Sequence, residues 1–225
     1  WIANYGAAQP LVVKTADATV TKFSIPFPLV ENQLAQVVID DNNYKWVVAP
    51  KSGGLICFDH GTAIENSGDD RWKIFKAGAG NGNLPNDNGL SITKDKSGFI
   101  WVGTGFGLFK INPSNFAITK FNDHPQLKEL IGKRVNTFLE DDLHRMWIGT
   151  QFDGLYCFDP STNTILHYTI KEGLSSNTCY DLFEDKLKNI YVASAKGFNV
   201  ISKNGKINSY TRADGLKYDL VGGFL

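Results

Sequence analysis

The sequence predicts an all-β chain, a β-propeller of about five four-stranded antiparallel blades. Three observations carry this. One phrase recurs along the chain at a period of roughly 45 residues, each copy contains four short runs of strand character, and no amphipathic helix stands between the copies. The phrase is plainest at Trp46-Val-Val-Ala-Pro-Lys-Ser-Gly-Gly-Leu55, Trp101-Val-Gly-Thr-Gly-Phe-Gly-Leu108, Trp147-Ile-Gly-Thr-Gln-Phe-Asp-Gly-Leu155 and Tyr191-Val-Ala-Ser-Ala-Lys-Gly-Phe198. A looser copy opens the chain at Trp1. The aromatic anchors stand at 1, 46, 101, 147 and 191, so the spacings are 45, 55, 46 and 44 residues and one unit carries an insertion.

Strand A of each unit is an alternating apolar stretch such as Val37-Val-Ile39 or Leu90-Ser-Ile92. It ends at an aspartate six residues before the anchor: Asp40, Asp95, Asp141 and Asp185. An aspartate there starts a tight turn by bonding its own backbone, and Asn43 and Gly98 supply residues tolerant of positive φ. His144 and Lys188 hold that place in the other two units, so the turn need not be identical throughout. The anchor opens strand B and Gly-Leu opens strand C. Asn112-Pro-Ser-Asn115 and Asp159-Pro-Ser-Thr162 mark the turn to strand D, read at 71–75, 117–121, 165–168 and 206–210. The chain begins at a strand B, and Tyr218 to Leu225 stands where a further strand A belongs. Residues 1–225 therefore read as a single propeller domain in one of two ways. Either the last strand completes the blade that Trp1 begins, removing the open sheet edges, or the chain is a piece of a larger propeller.

Composition bounds the function. Lys+Arg and Asp+Glu number 23 each, so there is no net field to draw nucleic acid or an anionic membrane surface. No apolar run is long enough to insert in a membrane. The three cysteines, Cys57, Cys157 and Cys179, match no zinc or disulfide spacing. Cys57 and Cys157 hold the same register two units apart, beyond disulfide reach, and all three read as small buried hydrophobes.

The phrases Asp95-Lys-Ser-Gly-Phe-Ile-Trp-Val-Gly-Thr-Gly-Phe-Gly-Leu108 and Asp142-Leu-His-Arg-Met-Trp-Ile-Gly-Thr-Gln-Phe-Asp-Gly-Leu155, with Gly173-Leu-Ser-Ser-Asn177, resemble the two-component regulator propeller repeat. The resemblance covers nearly the whole chain, though residues 1–30 fit loosely and Tyr191 to Phe198 replaces Trp and Gly-Thr by Tyr and Ala-Ser. It implies a periplasmic sensor domain of a hybrid histidine kinase of the Bacteroidetes type, recognising a glycan fragment and regulating transcription through domains outside this chain. It implies an oligosaccharide ligand, and another sensor domain or a second copy of the chain as protein partner. No nucleic-acid partner and no cofactor are expected.

Several residues invite chemical readings that the repeat weakens. The Trp anchors could form a sugar-stacking ladder, but their recurrence at one strand position points to packing between blades. The aspartates could be paired acid and base, but each sits in its own turn on its own blade. By register, His60, His124, His144 and His167 fall in a C–D turn, a D–A connection, an A–B turn and a strand D, so no nucleophile and base converge. No catalytic residue and no metal site is expected, which leaves a propeller lyase or lactonase as the weakest reading and an interaction scaffold as the main alternative. The glycine-rich Ala77-Gly-Ala-Gly-Asn-Gly-Asn83 leads into a strand rather than a helix, so it lacks the helix N-terminus of a phosphate cradle.

Topology gives the better functional expectation. The B–C turns and D–A connections emerge at one end, around the mouth of the channel. The B–C turns present Tyr5, Lys51, Phe106, Phe152, Asp153 and Lys196, which vary while the surrounding Gly and Leu repeat. Aromatic faces that stack and lysines that pair with a carboxylate suit a sugar or uronic acid.

Overall fold

A computed structural model describes residues 1–4, 8, 10–23, 25, 34–51, 53–78 and 82–224. The chain divides into two compact units, one of Trp1–Gly105 with Phe109–Lys120 and the other of Phe106–Leu108 with Phe121–Leu225. Its sheets are antiparallel with neighbours in sequence order, the meander of propeller blades.

The first unit carries three blades. Blade 1 is three-stranded among the described residues, β1 (Ile2–Ala3), β2 (Leu11–Lys14) and β3 (Val20–Lys22). Blade 2 runs β4 (Gln36–Ile39), β5 (Lys45–Ala49), β6 (Gly54–Asp59) and β7 (Arg71–Phe75). Blade 3 runs β8 (Gly89–Lys94), β9 (Ile100–Thr104), β10 (Gly107–Ile111) and β11 (Ile118–Lys120), the first two residues of β10 being grouped with the second unit. The second unit holds blade 4, β12 (Val135–Glu140), β13 (Met146–Thr150), β14 (Leu155–Asp159) and β15 (Thr164–Tyr168), and blade 5, β16 (Cys179–Glu184), β17 (Ile190–Ser194), β18 (Gly197–Ile201) and β19 (Ile207–Tyr210).

The Trp and Asp series form one device. The indole N–H of Trp46, Trp101 and Trp147 donates to Oδ2 of Asp40, Asp95 and Asp141 at 2.8, 2.7 and 2.8 Å. The other carboxylate oxygen closes the A–B turn. Asp40 Oδ1 accepts from the Asn42 and Tyr44 peptides, and Asp141 Oδ1 from those of Leu143 and Arg145. A buried indole needs an acceptor and a tight turn needs its free amides covered, and one carboxylate meets both needs. In blade 5, where Tyr191 replaces Trp, the Asn189 amide takes the vacated oxygen of Asp185 at 2.9 Å.

The turn left open at His144 and Lys188 is the same in all four blades. Asn43, Gly98, His144 and Lys188 all adopt positive φ, at 65°, 86°, 61° and 68°. The aspartate bonding pattern fixes the geometry, and His and Lys accept the cost of the left-handed region.

Strands B and C are buried on both faces. Trp46, Val48, Leu55 and Cys57 of blade 2 pack against Ile92, Ile100, Val102, Phe109 and Ile111 of blade 3. Trp147, Leu155 and Cys157 of blade 4 pack against Leu182, Ile190, Val192 and Ile201 of blade 5. The anchors are thus inter-blade core, not a ladder open to a ligand. The three cysteines are free and buried, and burial pushes each thiol up to about 12.

The C-terminal segment lies along blade 5. The Gly197 N–H donates to the Asp219 carbonyl, Val221 N–H to Ser194 O at 3.0 Å, and Phe224 N–H to Asp181 Oδ2 at 2.9 Å. The last bond repeats the one from Ile92 N–H to Gln36 Oε1 between blades 2 and 3, so the segment takes the register of a strand A. It is not a strand of the blade 1 sheet among the described residues.

Candidate functional site

Within each unit the B–C turns and D–A connections are knitted together at one end by backbone bonds. Gly54 N–H donates to Asp87 O at 2.9 Å and Gly154 N–H to Asn177 O at 2.8 Å, each tying the start of a strand C to the approach to the next blade. Glycine is obligatory at these starts. Gly54 and Gly154 have φ of 78° and 79°, and a Cβ would lie 2.2 Å from the Phe75 carbonyl oxygen and 2.1 Å from that of Tyr168.

In the second unit this end gathers a side-chain cluster. The Phe106 carbonyl accepts from Gly132 N–H at 3.2 Å, which sets the blade 3 turn beside Ile131 and Lys133. Lys133 Nζ reaches Asp153 Oδ2 at 2.8 Å, and the same oxygen accepts the Tyr156 hydroxyl at 2.5 Å. Thr150 Oγ1 anchors the Asp153 peptide at 2.9 Å. The Tyr156 ring stacks on His167 with centroids 4.0 Å apart, and His167 Nε2 meets the Asp153 carbonyl at 2.6 Å. Burial raises the Asp153 carboxyl, but the hydrogen bonds from Lys133 and Tyr156 outweigh it and hold the group below the usual carboxylate value. Burial, and then the bond to Asp153, push the Tyr156 hydroxyl up. The pair is held in place, with each side chain about one-third exposed.

Beside it stand Phe106 at 66%, Phe152 at 75% and Ile131 at 47% exposure. Exposure of that size on short turns is not explained by packing, and it offers flat apolar faces next to a fixed charge pair. Asp153 Oδ1 takes no bond among the described residues, so it is open to a ligand hydroxyl.

Of the sequence-predicted set, Phe106, Phe152 and Asp153 belong to this cluster. Lys196 lies in the same unit on the blade 5 turn, exposed, with its peptide on Ser194 Oγ at 3.2 Å. Lys51 is in the first unit, at φ 56° with its peptide on Asn88 Oδ1 at 3.3 Å. Tyr5 lies outside the described residues. Sequence reasoning missed Lys133, Tyr156 and His167. A signal was there, because Tyr156 stands where the repeat has Ile56 and Phe109, and a polar departure from an apolar register position marks a local demand.

The histidines sit where the register places them. His60 stacks on Trp1, His124 Nδ1 accepts the Leu127 peptide at 3.2 Å, and His144 Nδ1 meets Glu140 Oε1 at 2.9 Å. Among the described residues no three His, Cys, Asp or Glu side chains gather as a metal ion requires. Among the described residues no helix is long and apolar enough to cross a membrane.

No family model and no curated protein matches the sequence. Solved structures do. The extracellular domain assigned to a hybrid two-component system of B. thetaiotaomicron superposes with a TM-score of 0.70 at 20% identity, covering 97% of this chain and 31% of that one. PorZ, a surface component of the type-IX secretion system of Porphyromonas gingivalis, gives 0.68 at 19%, covering 95% and 32%. Virginiamycin B lyase from Staphylococcus aureus gives 0.63 at 14%, covering 89% and 62%. These likenesses establish the propeller fold. The chain spans about a third of the length of the first two.

Proposed function

We propose that this chain is a non-catalytic ligand-recognising propeller that works outside the cytoplasm, takes a glycan fragment at the B–C end of its second unit, and reports through domains beyond this chain. One observation carries the reading: Phe106 and Phe152 project into solvent beside the Lys133–Asp153 pair. The aromatic rings offer a face to the C–H side of a sugar ring. Asp153 Oδ1 accepts a hydroxyl, and the ammonium of Lys133 meets a hydroxyl or a uronate. The fold shared with extracellular domains of two-component systems supports the same reading.

A thermal-shift screen against neutral and acidic oligosaccharides tests it. A ligand at about 100 times its Kd adds roughly 2.7 kcal/mol, which for a chain of this size raises Tm by about 5–10 °C. Phe152→Ala and Asp153→Asn should each abolish or sharply reduce the shift. A broad panel with no shift, or a shift indifferent to both variants, counts against the reading.

A lyase reading has one observation in its favour, the gathering of Lys133, Asp153, Tyr156 and His167 at the same mouth. It is the weaker, because Tyr156 is only 2% exposed and His167 Nε2 is committed to a backbone carbonyl. Turnover by the purified chain of quinupristin, the compound bound in an inactive virginiamycin B lyase structure, would reverse the ranking.

A further inference from the structure

The first unit has a cleft of about 290 Å³ at the end opposite the B–C turns, walled by the A–B turns of blades 2 and 3 and the C–D turn of blade 3. Asp41, Asn42, Ser97, Phe99, Asn112 and Ser114 supply its chemistry. Asp41 is charge-neutralised by Lys94 through Oδ1, while Oδ2 lies toward Gly98 on the cleft wall. The side chains of Asn42, Ser97 and Ser114 make no hydrogen bond among the described residues. Phe99 is backed by the Lys110 ammonium 4.5 Å from its centroid. A neutral, polar cleft with free hydroxyl and amide groups and one ring rejects ions and apolar ligands alike. It matches a small polyhydroxylated ring, whose hydroxyls both donate and accept. Pockets for drug-sized ligands start at about 300 Å³, so this one takes a single sugar ring.

The repeat itself shows that this lining is not demanded by the fold. In the second unit the same corner between blades 4 and 5 also holds an ion pair, Asp142 with Lys188, the lysine coming from the turn position that Gly98 holds in blade 3, but places Leu143 and Leu187 where blades 2 and 3 have Asn42 and Ser97. Both leucines are exposed, at 64% and 76%, so the turn tolerates an apolar side chain there. The polar pair in the first unit is a departure that architecture does not require.

We infer that this cleft is a second, separate carbohydrate site that takes one neutral hexose unit. A ligand of this size with few bonds binds with a Kd on the order of 1 mM. The test is saturation-transfer NMR of the whole chain with methyl glycosides of glucose, galactose and mannose, on the wild type, on N42L/S97L and on F106A/F152A. N42L/S97L copies residues that the chain already uses at the equivalent turn, and an unchanged Tm verifies its fold. At least one glycoside should give a saturable signal that falls tenfold or more in N42L/S97L and persists in F106A/F152A. No saturable signal from any of the three, or an equal signal in N42L/S97L, overturns the inference. A signal lost only in F106A/F152A assigns the binding to the mouth and overturns it as well, leaving the proposed function intact.

Discussion

Asp141→Ala is the sharpest perturbation of the architecture. Asp141 is 0% exposed. Its Oδ1 accepts the peptides of Leu143 and Arg145, each at 2.9 Å, and its Oδ2 accepts Trp147 Nε1 at 2.8 Å and Arg145 Nε at 2.7 Å. Truncation orphans all four donors, with unequal consequences. The turn peptides lie beside the exposed Leu143 and regain water. The Arg145 side chain is about 30% exposed, so its loss is partly screened. Trp147 is 2% exposed, and its indole N–H has no replacement, at a cost of about 1–3 kcal/mol. With the loss of a mostly buried ion pair the total comes to about 3–5 kcal/mol, a fall in Tm of roughly 10 °C for a chain of this length. Calorimetric or circular-dichroism melts measure it. Asp185→Ala, at the half-buried copy without an indole, should cost far less. In a Trp147→Phe background Asp141→Ala should cost less than in the wild type, because the orphaned indole is gone. Equal Tm losses for Asp141→Ala and Asp185→Ala would refute the reasoning.

Other outcomes follow from named contacts. His144→Gly should stabilise the chain by up to about 1 kcal/mol, because it releases a left-handed residue, and chemical denaturation at pH 8 would show it. Gly154→Ala should destabilise by about 2 kcal/mol or more, since the new Cβ meets the Tyr168 carbonyl at a φ that alanine avoids; a melt within 2 °C of wild type would contradict this. Burial, and then Asp69, raise the Asp70 carboxyl above its usual 3.8, and its buried oxygens have no partner. A raised folded pKa means stability that is present below the unfolded pKa and lost as pH rises through the folded one. Asp70→Asn should therefore melt higher than wild type at pH 7, with the gap closing toward pH 3.5. The three thiols, each pushed up to about 12 by burial, should ignore Ellman's reagent in the native chain and all react in guanidinium.

The fold was legible because a propeller writes itself as a period. Trp46, Trp101 and Trp147 with an aspartate six residues earlier are one physical unit, and its repetition separates packing from function. Residue type alone leaves the turn open at His144 and Lys188, because the aspartate bonds determine φ there. The candidate site was half legible. Phe106, Phe152 and Asp153 were found because they vary between invariant Gly and Leu. Lys133 enters from a D–A connection whose path depends on the Phe106 carbonyl and Gly132, a pairing that sequence spacing does not encode. Tyr156 was visible as a departure from the apolar position of Ile56 and Phe109, but its partnership with Asp153 and His167 needed coordinates.

The account rests most on the mouth of the second unit, and isothermal titration of the whole chain with the oligosaccharide giving the largest thermal shift tests it most directly. The account predicts saturable binding that weakens about tenfold or more when Phe106 and Phe152 are both changed to alanine, with an unaltered melt in the absence of ligand. Binding of equal strength in wild type and the double variant would contradict it.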